Sequence, residues 1–147
     1  IVLLDDGAAQ LEVSVYSEVW EANRDCVKED RPLVVQGKVT KDEFSGGFRV
    51  IAERLYDLAA ARAKFARGLR LSLNGEASAA SAAAAKKLRE LLAPYRNGPC
   101  PVCVRYSSGS AVADVRLGDE WRVTPDDGLI AALGDWLKPE NVEIVYA

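Results

Sequence analysis

Hydrophobic and polar positions alternate most clearly between Arg31 and Leu58, in two runs joined by the charged, glycine-bearing loop KDEFSGG. Leu33, Val35, Gly37 and Val39 fall on one side of the first run, and Val34, Gln36, Lys38 and Thr40 on the other. Phe48, Val50 and Ala52 restart the inward side opposite Arg49, Ile51 and Glu53. A period of two marks strands with one buried face. Gly37 on the inward side predicts a sharp bend or a close backbone approach. Upstream, Ile1 to Leu4 and the alternating Leu11, Val13 and Val15 predict a hairpin around the turn Asp5-Asp6-Gly7. Ser17 is the expected N-cap of a helix running to about Val27, with Val19, Trp20 and Val27 as its apolar stripe. The order is strand, strand, helix, strand, strand.

The period changes at Tyr56. YDLAAARAKFARG predicts an alanine-rich helix capped by Gly68, and Leu69, Leu71 and Leu73 then alternate as a strand closed by Asn74-Gly75. In ASAASAAAAKKLRELLAPYR, the residues Leu88, Leu91, Leu92 and Tyr95 share one helical face, and Asn97-Gly98-Pro99 stops that helix. A three-stranded meander is expected next, from Val102, Val104 and Tyr106 through Ala111, Ala113, Val115 and Leu117 to Trp121 and Val123. Thr124-Pro125-Asp126-Asp127 predicts a helix start with Thr124 as cap. Leu129, Ile130, Leu133, Trp136 and Leu137 form its buried stripe, and Val142, Ile144 and Tyr146 a last strand. The fold class is therefore α+β. A barrel-like unit is expected over 1–58, a linking helix over 59–68 and a small mixed α/β unit over 69–147.

Composition narrows the function. The net charge is −3, and neither half is basic: ten Lys/Arg face twelve Asp/Glu up to Arg67, then nine face ten. A nucleic-acid binder usually carries a basic footprint, so any such binding must be local and weak. There is no histidine, which removes the Ser-His and Cys-His nucleophile pairs and the commonest metal ligand. The three cysteines, Cys26, Cys100 and Cys103, suit a reducing cytosol better than a disulfide scaffold. No apolar run is long enough for a membrane span. The abrupt opening IVLLDDG is a strand already under way, as expected of a piece of something larger.

Candidate chemistry is sparse. CPVC at 100–103 opens a strand rather than a helix and has no second ligand pair, so it reads as structural. Asp5-Asp6 and Asp126-Asp127 stand where aspartate serves turns and helix starts without any metal. No catalytic residue and no cofactor is expected. What remains is the face around the two alternating runs. Lys38, Lys41 and Arg49 are interleaved there with Phe44 and Phe48, and cations beside aromatics suit a single-strand-binding groove. The competing reading makes the phenylalanines core and the cations a solvated face.

Two strands, a helix and two strands is the order of an OB-fold barrel that lacks its first strand. VLLDDGAAQLEVSVYSEVWE, RPLVVQGKV, FSGGFRVIAERLYDL and ARAKFARGLRLSL together resemble the C-terminal region of the bacterial DNA polymerase III alpha subunit family. The resemblance is stronger over Ile1 to Leu73 than afterwards. It implies a truncated OB-fold followed by a small domain that binds the clamp-loader tau subunit, within a cytoplasmic DNA-directed DNA polymerase. The family's polymerase palm is absent from these residues, so this piece is expected to be non-catalytic. The implied partners are tau, single-stranded DNA held weakly, and other replicase subunits through the parent chain. For the partner surface, Trp136, Leu137, Val142, Ile144 and Tyr146 are the candidates, because a sheet edge and an aromatic can both be recruited by another protein. An anticodon- or single-strand-binding OB module of another protein, or a pure protein-interaction adaptor, are the competing readings. A barrel without its first strand also leaves unpaired edges that invite another strand.

Overall fold

A computed structural model describes residues 1–74 and 82–146. It divides into two compact units, Ile1–Ala61 and Arg62–Ala147, each with a hydrophobic cluster of its own. Both are mixed α and β, and among the described residues neither sheet closes into a barrel.

In the first unit, β1 (Val2–Asp5) and β2 (Gln10–Ser14) form the expected antiparallel hairpin. The Asp5-Asp6-Gly7 turn is held by its own carboxylates: Asp5 accepts from the Gly7 N–H, and Asp6 from the N–H groups of Ala8 and Ala9. α1 (Ser17–Asn23) follows, then a 3₁₀ turn (Arg24–Cys26), so the α-helix stops short of Val27. Ser17 is the first helical residue rather than the cap, and no side chain caps that end. Val19 and Val27 pack on the core, whereas Trp20 is turned outward. β3 (Leu33–Lys41) and β4 (Phe48–Asp57) complete an open sheet of order β1-β2-β4-β3.

The inward positions on β4 do not keep a strict period of two. Gln36 pairs with Arg54 but Gly37 pairs with Ala52, so Glu53 is an extra residue in a β-bulge. The bulge sets buried Ala52 and buried Leu55 three residues apart on one face. Gly37 permits it, because a Cβ there would collide with the Ile51 carbonyl. Two expected core positions are corrected by the same geometry. β2 meets β4 only at Val50 and Ile51, so on the turn side of that row the β3–β4 hairpin is a two-stranded ribbon that no described layer covers. Val39 and Phe48 are accordingly 66% and 74% exposed.

In the second unit, the sheet order is β8-β7-β5-β9, built from β5 (Gly68–Asn74), β7 (Val102–Ser108), β8 (Ala111–Arg116) and β9 (Val142–Val145). β4 runs on to Asp57, and the helix expected from Tyr56 is α2 (Leu58–Phe65). Gly68 opens β5 instead of capping that helix. β5 and β7 are parallel, joined through α3 (Ala82–Leu92) and a short β6 (Arg96–Cys100). Leu88 and Leu92 of α3 and Leu129 and Leu133 of α4 (Asp127–Leu137) cover Leu69, Leu71, Val102 and Val104 on one face of the sheet. Gly75 and the alanine-rich 77–81 of the expected helix lie outside the described residues.

Two expectations for this unit are corrected. The third meander strand is absent: Asp119–Trp121 is a 3₁₀ turn, and Val123 bridges Arg96 and Cys100 of β6. Gly98 makes this crossing possible, since a Cβ there would occupy the backbone of Val123 and Thr124. The cap of α4 is Asp126, whose carboxylate accepts from the Gly128 N–H at 2.8 Å. Thr124 lies too far upstream, because Asp126 itself takes the extended cap conformation.

Candidate nucleic-acid and partner-binding surfaces

The ribbon carries the five residues singled out for nucleic-acid contact, but not on one face. Opposed pairs of an antiparallel ladder point the same way. Lys41 and Phe48 therefore share one face, while Lys38 and Arg49 project from the other with Thr40 and Ile51. Phe44 sits in the connecting loop and is 100% exposed. Neither phenylalanine is core, which removes the strongest competing reading for them. The cations are partly neutralised: Lys38 Nζ lies 3.1 Å from Glu53 Oε1, and Arg49 lies 3.9 Å from Asp42. Lys41 makes no ion pair among the described residues.

Asp42 organises the loop between the strands. Its carboxylate accepts from the Ser45 hydroxyl at 2.7 Å and from the Phe44 N–H at 3.2 Å, and its backbone pairs with Gly46 and Gly47. Gly46 takes φ +73, which a side chain would resist. The Ser45 hydroxyl, the Phe44 N–H and then Arg49 hold the Asp42 carboxyl below its ordinary 3.8. The loop is thus a tied turn presenting Phe44 at its tip.

The partner candidates have a different character. Trp136, Leu137, Val142 and Ile144 are all packed against the core of the second unit. Only Tyr146, 45% exposed, offers much surface. Tyr146 lies against Arg62, which also pairs with Asp127 at the start of α4. Burial opposes the Arg62 charge, but its bonds to Asp127 and Tyr146 outweigh that and raise its pKa. β9 is an edge strand of its sheet, and its outer backbone groups have no ladder partner among the described residues. Cys100 is fully buried at the end of β6 with its thiol pushed up by desolvation, and Cys103 lies on the opposite face of β7. Among the described residues, no His/Cys/Asp/Glu group is arranged to hold a metal, and no helix is long and apolar enough to cross a membrane.

A family model described as the C-terminal domain of DNA polymerase III subunit alpha matches residues 87–137, from α3 through α4. Relatives named DNA polymerase III subunit alpha align over 99% of the chain, at 38% identity in Vibrio cholerae and 36% in Escherichia coli K12. One from Pseudomonas aeruginosa is also 38% identical over 99% of the chain. The chain belongs to the C-terminal region of the DNA polymerase III alpha subunit family. It spans 12% of the length of these relatives. The family model falls in the second unit, after Leu73, where the weaker resemblance was expected.

Proposed function

We propose that this chain is a non-catalytic binding region of a cytoplasmic replicative DNA polymerase, touching single-stranded DNA through its first unit and a clamp-loader tau subunit through its second. Alignment with alpha subunits along nearly the whole chain carries this reading. For the DNA contact, the support is the ribbon of Lys41, Phe48 and Phe44, which leaves two aromatic rings free to stack on bases beside a cation. Lys38 and Arg49 reach phosphates from the other face once their carboxylate partners yield. Such contacts are weak and salt-sensitive, and tethering within a replicase raises the local concentration enough to make them effective. For the protein contact, the support is the open β9 edge with Tyr146 beside it, a template for strand addition.

The neutralised cations Lys38 and Arg49 favour one alternative, a protein-interaction adaptor whose ribbon binds no nucleic acid. Two measurements separate the readings. A fluorescent single-stranded oligonucleotide should bind the chain at low salt and lose affinity about tenfold when Lys38, Lys41 and Arg49 are together replaced by alanine. Unchanged affinity sinks the DNA placement and leaves the adaptor. Purified tau should retain the chain in a pull-down, and removal of 140–147 should abolish retention. Failure to recover the chain removes the tau assignment.

A further inference from the structure

The face of the second sheet turned away from α3 and α4 carries Arg70, Cys103, Arg105, Asp114, Arg116 and Glu143 in adjoining rows of the ladder. The helices α3 and α4 pack on the other face. Two of its arginines are already matched: Arg105 forms a two-pronged pair with Asp114 at 2.8 and 3.1 Å, and Arg70 lies 3.3 Å from Glu143. Arg116 on β8 and Arg67 just before β5 make no ion pair among the described residues. Arg67, Arg70 and Arg116 line a recess of about 210 Å³ together with Gly68, Leu69, Pro101, Val102, Cys103 and Val145. A chain of net charge −3 thus keeps one face on which arginines outnumber carboxylates, with an apolar hollow in its midst.

We infer that this recess is a docking site for a short acidic–apolar peptide segment of a partner protein, its apolar side chain entering the hollow and its carboxylates meeting Arg67 and Arg116. The inference deepens the reading of the second unit as a protein-docking unit and gives the chemistry of what docks. Three observations select this occupant. Guanidinium groups match carboxylates bidentately. The hollow is smaller than the roughly 300–1,000 Å³ of sites that enclose a whole small molecule, and suits a side chain instead. No aromatic ring lines it, so it lacks the stacking platform that a single-stranded nucleic acid uses. Val145 belongs both to the lining and to β9, so a peptide seated here lies beside the open sheet edge.

The test uses the full chain and a fluorescein-labelled peptide of alternating glutamate and leucine, with a lysine–leucine peptide and an oligothymidylate as competitors. The acidic peptide should bind by fluorescence anisotropy, weaken with salt, and lose at least about tenfold in affinity when Arg67 and Arg116 are both changed to alanine. The Lys38→Ala, Arg49→Ala pair should leave it unchanged. In a Cys26→Ser background, the peptide should also slow maleimide labelling of Cys103, which maps the contact independently of charge. Undiminished affinity in the Arg67→Ala, Arg116→Ala chain overturns the inference, as does equal binding of the lysine peptide or a preference for oligothymidylate. A chain that binds tau equally well with and without the two arginines refutes the recess while sparing the tau reading. Peptide binding without tau binding does the reverse.

Discussion

Gly37 is where one residue decides the course of a sheet. Its missing side chain lets the Ile51 carbonyl approach, and the bulge at Glu53 follows. Gly37→Ala forces backbone apart and should cost about 1–3 kcal/mol, read as a lower urea midpoint for the first unit. A change within a few tenths of a kcal/mol would show that the bulge can absorb a methyl group. Alternation identified Gly37 as special, because glycine on an otherwise apolar face has few other uses. It did not reveal Gly98, whose role depends on a segment more than twenty residues downstream crossing over it. Among the candidate site residues, Phe44 and Phe48 were legible as unusual, but their exposure was not. A phenylalanine at an inward position reads as core until the neighbouring strand is found to end.

At the scale of elements, caps and loops carry the predictions. Asp126→Ala removes the carboxylate that receives the Gly128 N–H and should destabilise the second unit by about 1 kcal/mol, whereas Thr124→Ala should cost much less. Denaturant titration of the two variants checks this directly. For the KDEFSGG loop, the Asp42 carboxyl titrates lower folded than unfolded. Its contribution is therefore complete above the ordinary value of 3.8 and is lost as pH falls through the lower folded value. The Phe44 amide resonance should report this loss below pH 3.8, and in Asp42→Asn the acid-dependent step should be missing. A shift centred above 3.8 would contradict the hydrogen bonding seen here. The helix stripes Leu88, Leu92 and Leu129, Leu133 were fully readable, because a helix buries whatever its own period places on one side.

At the scale of the whole molecule, the two units are unequal. Three residues, Val13, Ala52 and Leu55, form the buried centre of the first, against eleven in the second among the described residues. A unit of about 60 residues is close to the lower limit for independent stability, and so small a centre makes it the weaker one. Trp20 reports on the first unit, and Trp121 and Trp136 on the second. The fluorescence of a Trp20→Phe chain should unfold at a urea midpoint about 1 M above that of a chain retaining Trp20 alone. Coincident transitions would mean that the units unfold as one.

Taken by itself, the sequence determined the alternation of strands and helices, the two helix faces that build the larger core, and the family. These rest on local periodicity and on wording, which need no partner segment to be read. Tertiary structure alone decided where the sheets stop. β2 reaches only two residues of β4, so the ribbon's phenylalanines meet solvent, and Val123 crosses β6 instead of extending a meander. It also decided that Arg116, distant along the chain from Arg67 and Arg70, lines one hollow with them. Register between strands is a non-local choice, and no single stretch of the chain contains it.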